Sequence, residues 1–188
     1  MPEHLPLLIG ASGAVITLGL AALRSASSRL KRPKLKVAFE PHRNLTNQPW
    51  GAGGQARWLR LSVENLPRRE PAKSASAVLI DIAERNDLAA AVPFFNDARP
   101  LWWTHHPPGP IDVKPGVPYL VDVAKAIEIT NDIRIAALED FALPALSVGK
   151  NYIMTIRISA NNMLPITVRL EVSCPGTWTS LTGSLWKE

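Results

Sequence analysis

One cysteine, Cys174, stands in 188 residues, so no disulfide can form within this chain. That suits a reducing compartment, where the core rather than cross-links must hold the fold. Compact catalytic signatures are also missing. There is no Gly-x-Ser-x-Gly, no His-Glu-x-x-His, no paired Cys-x-x-Cys and no phosphate-cradling loop. The Gly51–Gly54 segment is glycine-rich but lacks the Lys and Ser/Thr that would hold a phosphate and its cation. Hydrolase and nucleotide chemistry therefore have no local support, and neither a catalytic residue, a metal nor a cofactor is expected. Aromatics make up only 6% of the chain, yet six are tryptophans. Long apolar runs are absent with one exception.

That exception is Leu5–Leu23, nineteen residues without a charge, closed by Arg24. As a helix it would reach roughly 28 Å, close to the hydrocarbon thickness of a bilayer. Glu3 and His4 precede it, whereas Arg24, Arg29, Lys31, Arg32, Lys34 and Lys36 follow it. Positive flanks stay cytoplasmic, so the reading is a single-pass signal-anchor with its C-terminal part in the cytoplasm and these six cations against anionic headgroups. A cleaved secretory signal would want a positive segment before the run, which is missing, although Ser25-Ala26-Ser27 offers a weak small-residue site. A buried core helix would be shorter. Gly10 and Ala14, like Gly13 and Thr17, are four apart, which lets two helices approach closely; a homodimer through this segment is one reading, and the general abundance of small residues in membrane helices is the other.

The net charge of +5 and pI near 9.7 come from the linker. Residues 37–188 carry as many acids as bases, so no basic stripe for nucleic acid is expected there. The sequence divides into an anchor at 1–23, a basic linker at 24–33 and one domain at 34–188.

Period-two alternation dominates that domain. Leu35, Val37 and Phe39 share a face, as do Leu59, Leu61 and Val63 opposite Trp58, Arg60, Ser62 and Glu64. Val78, Ile80 and Ile82 mark a third strand, and Val117–Ile129 a further one, interrupted at Ala124–Ala126. Ile133–Leu138 fits either a strand or a helical turn. Tyr152, Met154, Ile156 and Ile158 alternate clearly, as do Ile166, Val168, Leu170, Val172 and Cys174, with Asn161–Pro165 turning between them. Thr177–Trp186 closes the chain. Residues 41–56 and 86–112, rich in Pro and Gly, read as loops, with Pro100–His106 as a short edge strand. Seven to nine strands with little helical periodicity predict a mainly β, antiparallel β-sandwich.

Leu146-Ser-Val-Gly-Lys-Asn-Tyr152 resembles the tyrosine corner of immunoglobulin-like and fibronectin type III-like sandwiches, and Val113-Lys-Pro-Gly-Val-Pro-Tyr119 is a second such stretch. The resemblance implies that the tyrosine hydroxyl bonds back to a nearby backbone group. It spans roughly residues 34–186 and departs from the family in lacking paired cysteines. The layout of one membrane helix and an Ig-like domain is also similar to bacterial and phage membrane-anchored proteins to which no activity is attached.

Among side chains, His105-His106 would point to opposite faces of a strand and so rarely share a metal. No histidine follows Cys174, as a blue-copper site would want, and its place on an apolar face marks an inert thiol. Glu84 with Asp87, and Glu139-Asp140, read as solvated turn carboxylates. Trp102 and Trp103, adjacent on a strand, face opposite ways, so one can fill the core while the other reaches the surface. Together with Trp50, His105 and His106 they form the candidate interface. The function these features imply is a non-enzymatic, membrane-tethered module binding a protein partner at the cytoplasmic face of an inner membrane. An extracytoplasmic envelope domain binding a surface ligand or polymer is the alternative. An enzyme with a site in 86–112 would need His105 or His106 beside carboxylates.

Overall fold

The computed structural model describes residues 31–51, 53–85, 91–137, 143 and 145–186, with backbone alone for 91–94. The Leu5–Leu23 run, Arg24, Arg29, Asp87 and Glu139-Asp140 lie outside the described residues. Within them, no helix is long and apolar enough to cross a membrane.

The described chain is mainly β, with two antiparallel sheets packed face to face. The first is centred on β3 (Gly54–Asn65) and β9 (Pro118–Ile127). On one side of β3 lie β1 (Leu35–Ala38) and β2 (Leu45–Trp50); on the far side of β9 lie β7 (Trp102–Trp103) and β10 (Asp132–Ile135). The second sheet runs β13 (Thr182–Leu185), β12 (Met163–Ser173), β11 (Asn151–Ala160) and β4 (Ala72–Arg85). The outer edge of β4 is shared by β5 (Ala91–Phe95), β6 (Arg99–Pro100) and β8 (Ile111–Val113).

The alternation seen in sequence sets the core. Leu59, Leu61 and Val63 from β3 meet Leu79 and Ile82 from β4 and Tyr152, Met154, Ile156 and Ile158 from β11, all buried. β3 and β11 contribute every second residue because successive side chains point to opposite faces, and β4 does so on either side of a bulge at Ile80.

The structure shifts the phase of β4, where a bulge at Ile80 buries Ala75, Ala77, Leu79 and Ile82 and leaves Val78 and Ile80 half-exposed; it revises two further stretches and decides a third. Residues 41–56 are not a loop. A single helical turn, α1 (Pro41–Asn44), interrupts one long edge that β1 and β2 together lay along β3. Buried Asn44 braces that turn by accepting from the Glu40 amide at 2.7 Å. Pro49 is tolerated because this is an edge strand, and Gly51 and Gly53, both at positive φ, close the hairpin into β3. Ala124–Ala126 does not interrupt β9. A bulge opposite Leu59/Arg60 absorbs the extra Val123, and the strand continues to Ile127; the apparent break was a phase shift in the alternation. Of the Ile133–Leu138 stretch, Ile133–Ile135 belong to a strand, paired with β9 over Asp132–Ile135, and Leu138 lies outside the described residues.

Residues 91–113 stitch the two sheets together. Arg99-Pro100 pairs with β4 and the Leu101 amide bonds Ala77 O at 2.9 Å; two residues later the chain has crossed to β9, where the Thr104 amide bonds Leu120 O at 2.8 Å. His105 and His106 therefore sit in the turn after β7, and the edge strand expected through His106 ends at Trp103. The β11–β12 hairpin turns tightly on Asn161-Asn162 alone, with Ala160 opposite Met163. Met163–Pro165, expected in the turn, start β12. Thr177–Trp186 splits into a 3-10 turn at Trp178–Ser180 and β13.

Candidate interaction face

The outer surface of the first sheet carries three of the six tryptophans and both charged side chains that are buried among the described residues, Arg60 and Lys125. Register puts Thr46, Trp58 and Lys125 in one row across β2, β3 and β9, because directly opposed residues share a face. The next row holds Arg60, Asp122 and Trp102. Lys125, only 2% exposed, places its Nζ 3.9 Å from the Trp50 ring centroid and 5.1 Å from that of Trp58. Trp50 and Trp58 meet edge to face at 5.8 Å. The Arg60 guanidinium lies 5.6 Å from the Trp58 centroid on its other flank.

Arg60 is 4% exposed and fully engaged. Its Nε donates to Asp122 Oδ1 at 2.6 Å, Nη1 to Thr46 Oγ1 at 2.8 Å and Nη2 to Gln48 Oε1 at 3.3 Å. Asp122 Oδ1 also accepts from Thr104 Oγ1 at 2.8 Å. A buried guanidinium needs such neutralisation, since an unpaired charge at this depth costs several kcal/mol. The consequence for recognition is specific. The two cations beside the tryptophans are covered and committed to internal partners, while the exposed cation of the same row, Arg134 opposite Lys125, is paired with Asp132 at 3.2 Å.

The sequence-derived candidates separate here. Trp50 and Trp102 are half-buried on this outer face. Trp103 points the other way, 2% exposed, edge-on to Tyr119 at 6.5 Å. His105 is exposed with φ 63°, and His106 lies half-buried with its ring 5.6 Å from Tyr119. Neither joins Trp50, and no cluster of three or more His, Cys, Asp or Glu suited to a metal occurs among the described residues. Lys31, Arg32, Lys34 and Lys36 are all exposed. Trp58, Arg60 and Lys125 were missed as site residues. Trp58 and Arg60 were legible as outward-facing, but nothing local shows that β9 would bring Lys125 and Asp122 beside them.

Tyr152 is buried, and its hydroxyl oxygen accepts from the Ser147 amide at 2.9 Å, closing the loop that starts β11. Tyr119 makes a longer version of the same five-residue reach, to the Lys114 amide at 3.5 Å. Cys174 is buried with Sγ 3.3 Å from Thr177 O. Burial pushes its thiol above the ordinary 9.0, against the opposing pull of the Ser180 hydrogen bond and the Arg57 charge.

The second sheet's outer face carries a shallow groove of about 450 Å³ between Asp81, Arg85, Thr155, Arg169 and Trp186. Arg85 lies 5.0 Å from the Trp186 centroid and pairs with Glu171, so it too is internally engaged. Comparison with family models, curated proteins and solved structures finds no match to this chain.

Proposed function

We propose that the chain is a non-enzymatic, membrane-tethered, immunoglobulin-like β-sandwich that engages a protein partner at the cytoplasmic face of an inner membrane. The observation that carries this reading is the outer face of the first sheet, where Trp50 and Trp58 meet on adjoining strands beside covered cations and Trp102, also half-exposed, lies one strand further across β9. Tryptophan dominates protein interfaces because it removes much apolar area from water at little rotamer cost. The Tyr152 hydroxyl bond supports the Ig-like assignment. The uncharged Leu5–Leu23 run with cations on one flank supports the tether and its orientation.

The test is site-specific photo-crosslinking in cells. A photoreactive residue at Trp58 should yield a discrete adduct that W50A weakens, while one at Thr155, on the other sheet, should not. Equal adducts at both sites, or none at Trp58, would refute the assignment of this face. The envelope alternative has one observation in its favour: half-exposed indoles like these also stack on a surface polymer. A reporter fused after Glu188 separates the two, since a periplasmic signal excludes the cytoplasmic reading.

A further inference from the structure

Three turns meet the entering strand at the end of the sandwich where residue 31 enters. The Glu70 amide bonds Lys31 O at 2.7 Å and the Leu66 amide bonds Lys34 O at 3.0 Å, tying the entering strand to the 66–74 turn. The Asn161 amide bonds Lys73 O at 2.9 Å, and the Lys73 amide bonds Asn162 Oδ1 at 3.0 Å, adding the β11–β12 hairpin tip. Asn65, fully buried, sits at the hub. Its Oδ1 accepts from the Lys34 amide at 3.1 Å and its Nδ2 donates to Glu70 O at 2.7 Å and Val113 O at 3.3 Å.

The charge at this end is lopsided. Segments 31–34, 66–74, 111–118 and 159–166 hold seven cations, Lys31, Arg32, Lys34, Arg68, Arg69, Lys73 and Lys114, against two acids, Glu70 and Asp112. All but Arg69 of those cations are exposed. At the opposite end, segments 50–54, 127–132, 147–151 and 174–182 carry Glu128, Asp132 and Lys150. Within residues 37–188, where acids and bases are equal in number, this end has four of those cations against both acids, and the entering segment adds the other three. The basic end also bears the most exposed large apolar side chain among the described residues, Leu164 at 84%, with Val117 at 43%. Leu164 and Met163 face Arg32 and Lys34 across an open groove of about 770 Å³.

We propose that this end is a second membrane contact: the Arg68–Lys73 turn and the hairpin tip lie on the anionic lipid surface, with Leu164 inserted at the headgroup boundary. The inference rests on the tether reading, because the uncharged run leads into this same end. Its logic is charge complementarity with anionic headgroups joined to apolar insertion, the combination by which amphipathic surfaces hold a bilayer. Its consequence is orientation. The sandwich would stand on end, with its sheet faces, including the tryptophan face, directed sideways to partners in the same membrane.

The test uses the full chain reconstituted in vesicles, with an environment-sensitive dye on L164C or, at the other end, on I129C. Cys174 is buried and stays unlabelled. In phosphatidylcholine containing about 30% phosphatidylglycerol, the dye at 164 should shift to the blue and that at 129 should not. Pure phosphatidylcholine, or salt near ~1 M, should abolish the shift, because screening shortens the Debye length to about 3 Å. R68E/R69E/K73E should abolish it too, at about fivefold weaker association per cation lost; K34E/K114E serves if the triple variant misfolds. Equal signals at 164 and 129, or no dependence on lipid charge, would overturn the proposal. Flotation after alkaline extraction separates the two failures. A chain stripped from vesicles sinks the tether, whereas a chain that floats with Leu164 in water sinks only this contact.

Discussion

Replacing Asp122 with alanine tests whether the tryptophan face is built on a buried charge. Arg60 is 4% exposed, and Asp122 supplies its carboxylate at 2.6 Å with 14% of its side chain exposed. Removing one partner of a buried pair costs about 3–5 kcal/mol, because the remaining charge is desolvated without compensation. Thr46, Gln48 and the Trp58 ring stay in place around the guanidinium, so the lower part of that range, about 3 kcal/mol, is expected for D122A. For a domain near this size that lowers Tm by about 6–12 °C. R60M/D122A, which removes both charges and keeps most of the volume, should recover most of the loss and sit within about 1 kcal/mol of the parent. Urea and thermal unfolding in mild detergent, followed by tryptophan fluorescence, would read both values. If D122A and R60M each cost under about 1 kcal/mol and the double variant simply adds them, the pair behaves like a surface ion pair. The face would then be solvent-filled rather than closed.

Three further outcomes follow from the same geometry. Y152F should cost about 1–2 kcal/mol by leaving the Ser147 amide unsatisfied, while Y119F, at 3.5 Å and half-exposed, should cost well under half of that; chemical denaturation of both variants compares them. W103A should cost about 3–5 kcal/mol by opening a core cavity, whereas W102A should leave stability nearly unchanged and weaken only partner crosslinking. Cys174 has a folded-state pKa raised above 9.0 by burial, so its stabilising contribution is complete below pH 9.0 and lost as pH rises through the folded value. Removing the thiol in C174A should therefore flatten the alkaline limb of a stability-against-pH curve, and in the parent the thiol should resist labelling at pH 8 until urea unfolds the chain.

Where side chains alternate over eight or more residues, sequence and structure agree. β3, β11 and the second half of β12 bury the faces the pattern marks, because a period of two leaves only one way to present the apolar set; β4 does not, since a bulge at Ile80 shifts its phase and Ala77 and Leu79 are buried where the pattern marks Val78 and Ile80. Ile166 and Val168 continue the β12 pattern yet stay half-exposed, since β13 pairs only with Leu170–Ser173 and leaves this half of β12 as the edge of its sheet. Residues 91–113 were illegible for the opposite reason. β6, β7 and β8 have two or three residues each, too few for periodicity, and their partners lie on strands far away in sequence. β2 was hidden by Pro49 and the glycines, which signal a loop unless the strand is known to lie at an edge.

The sequence by itself determined the mainly β class, the opposed faces of Trp102 and Trp103, the reach of Tyr152 and the clustering of charge after an apolar run. All of these depend on neighbours within a few residues, where spacing is geometry. Only the tertiary structure decided that Lys125 lies between Trp50 and Trp58, that Asp122 neutralises Arg60, and that Arg68, Arg69, Lys73 and Lys114 share one end with the entering chain. Those arrangements depend on register between strands distant in sequence. Register is set by the whole apolar pattern closing on itself, with the β9 bulge shifting it by one residue, and no local stretch encodes that outcome.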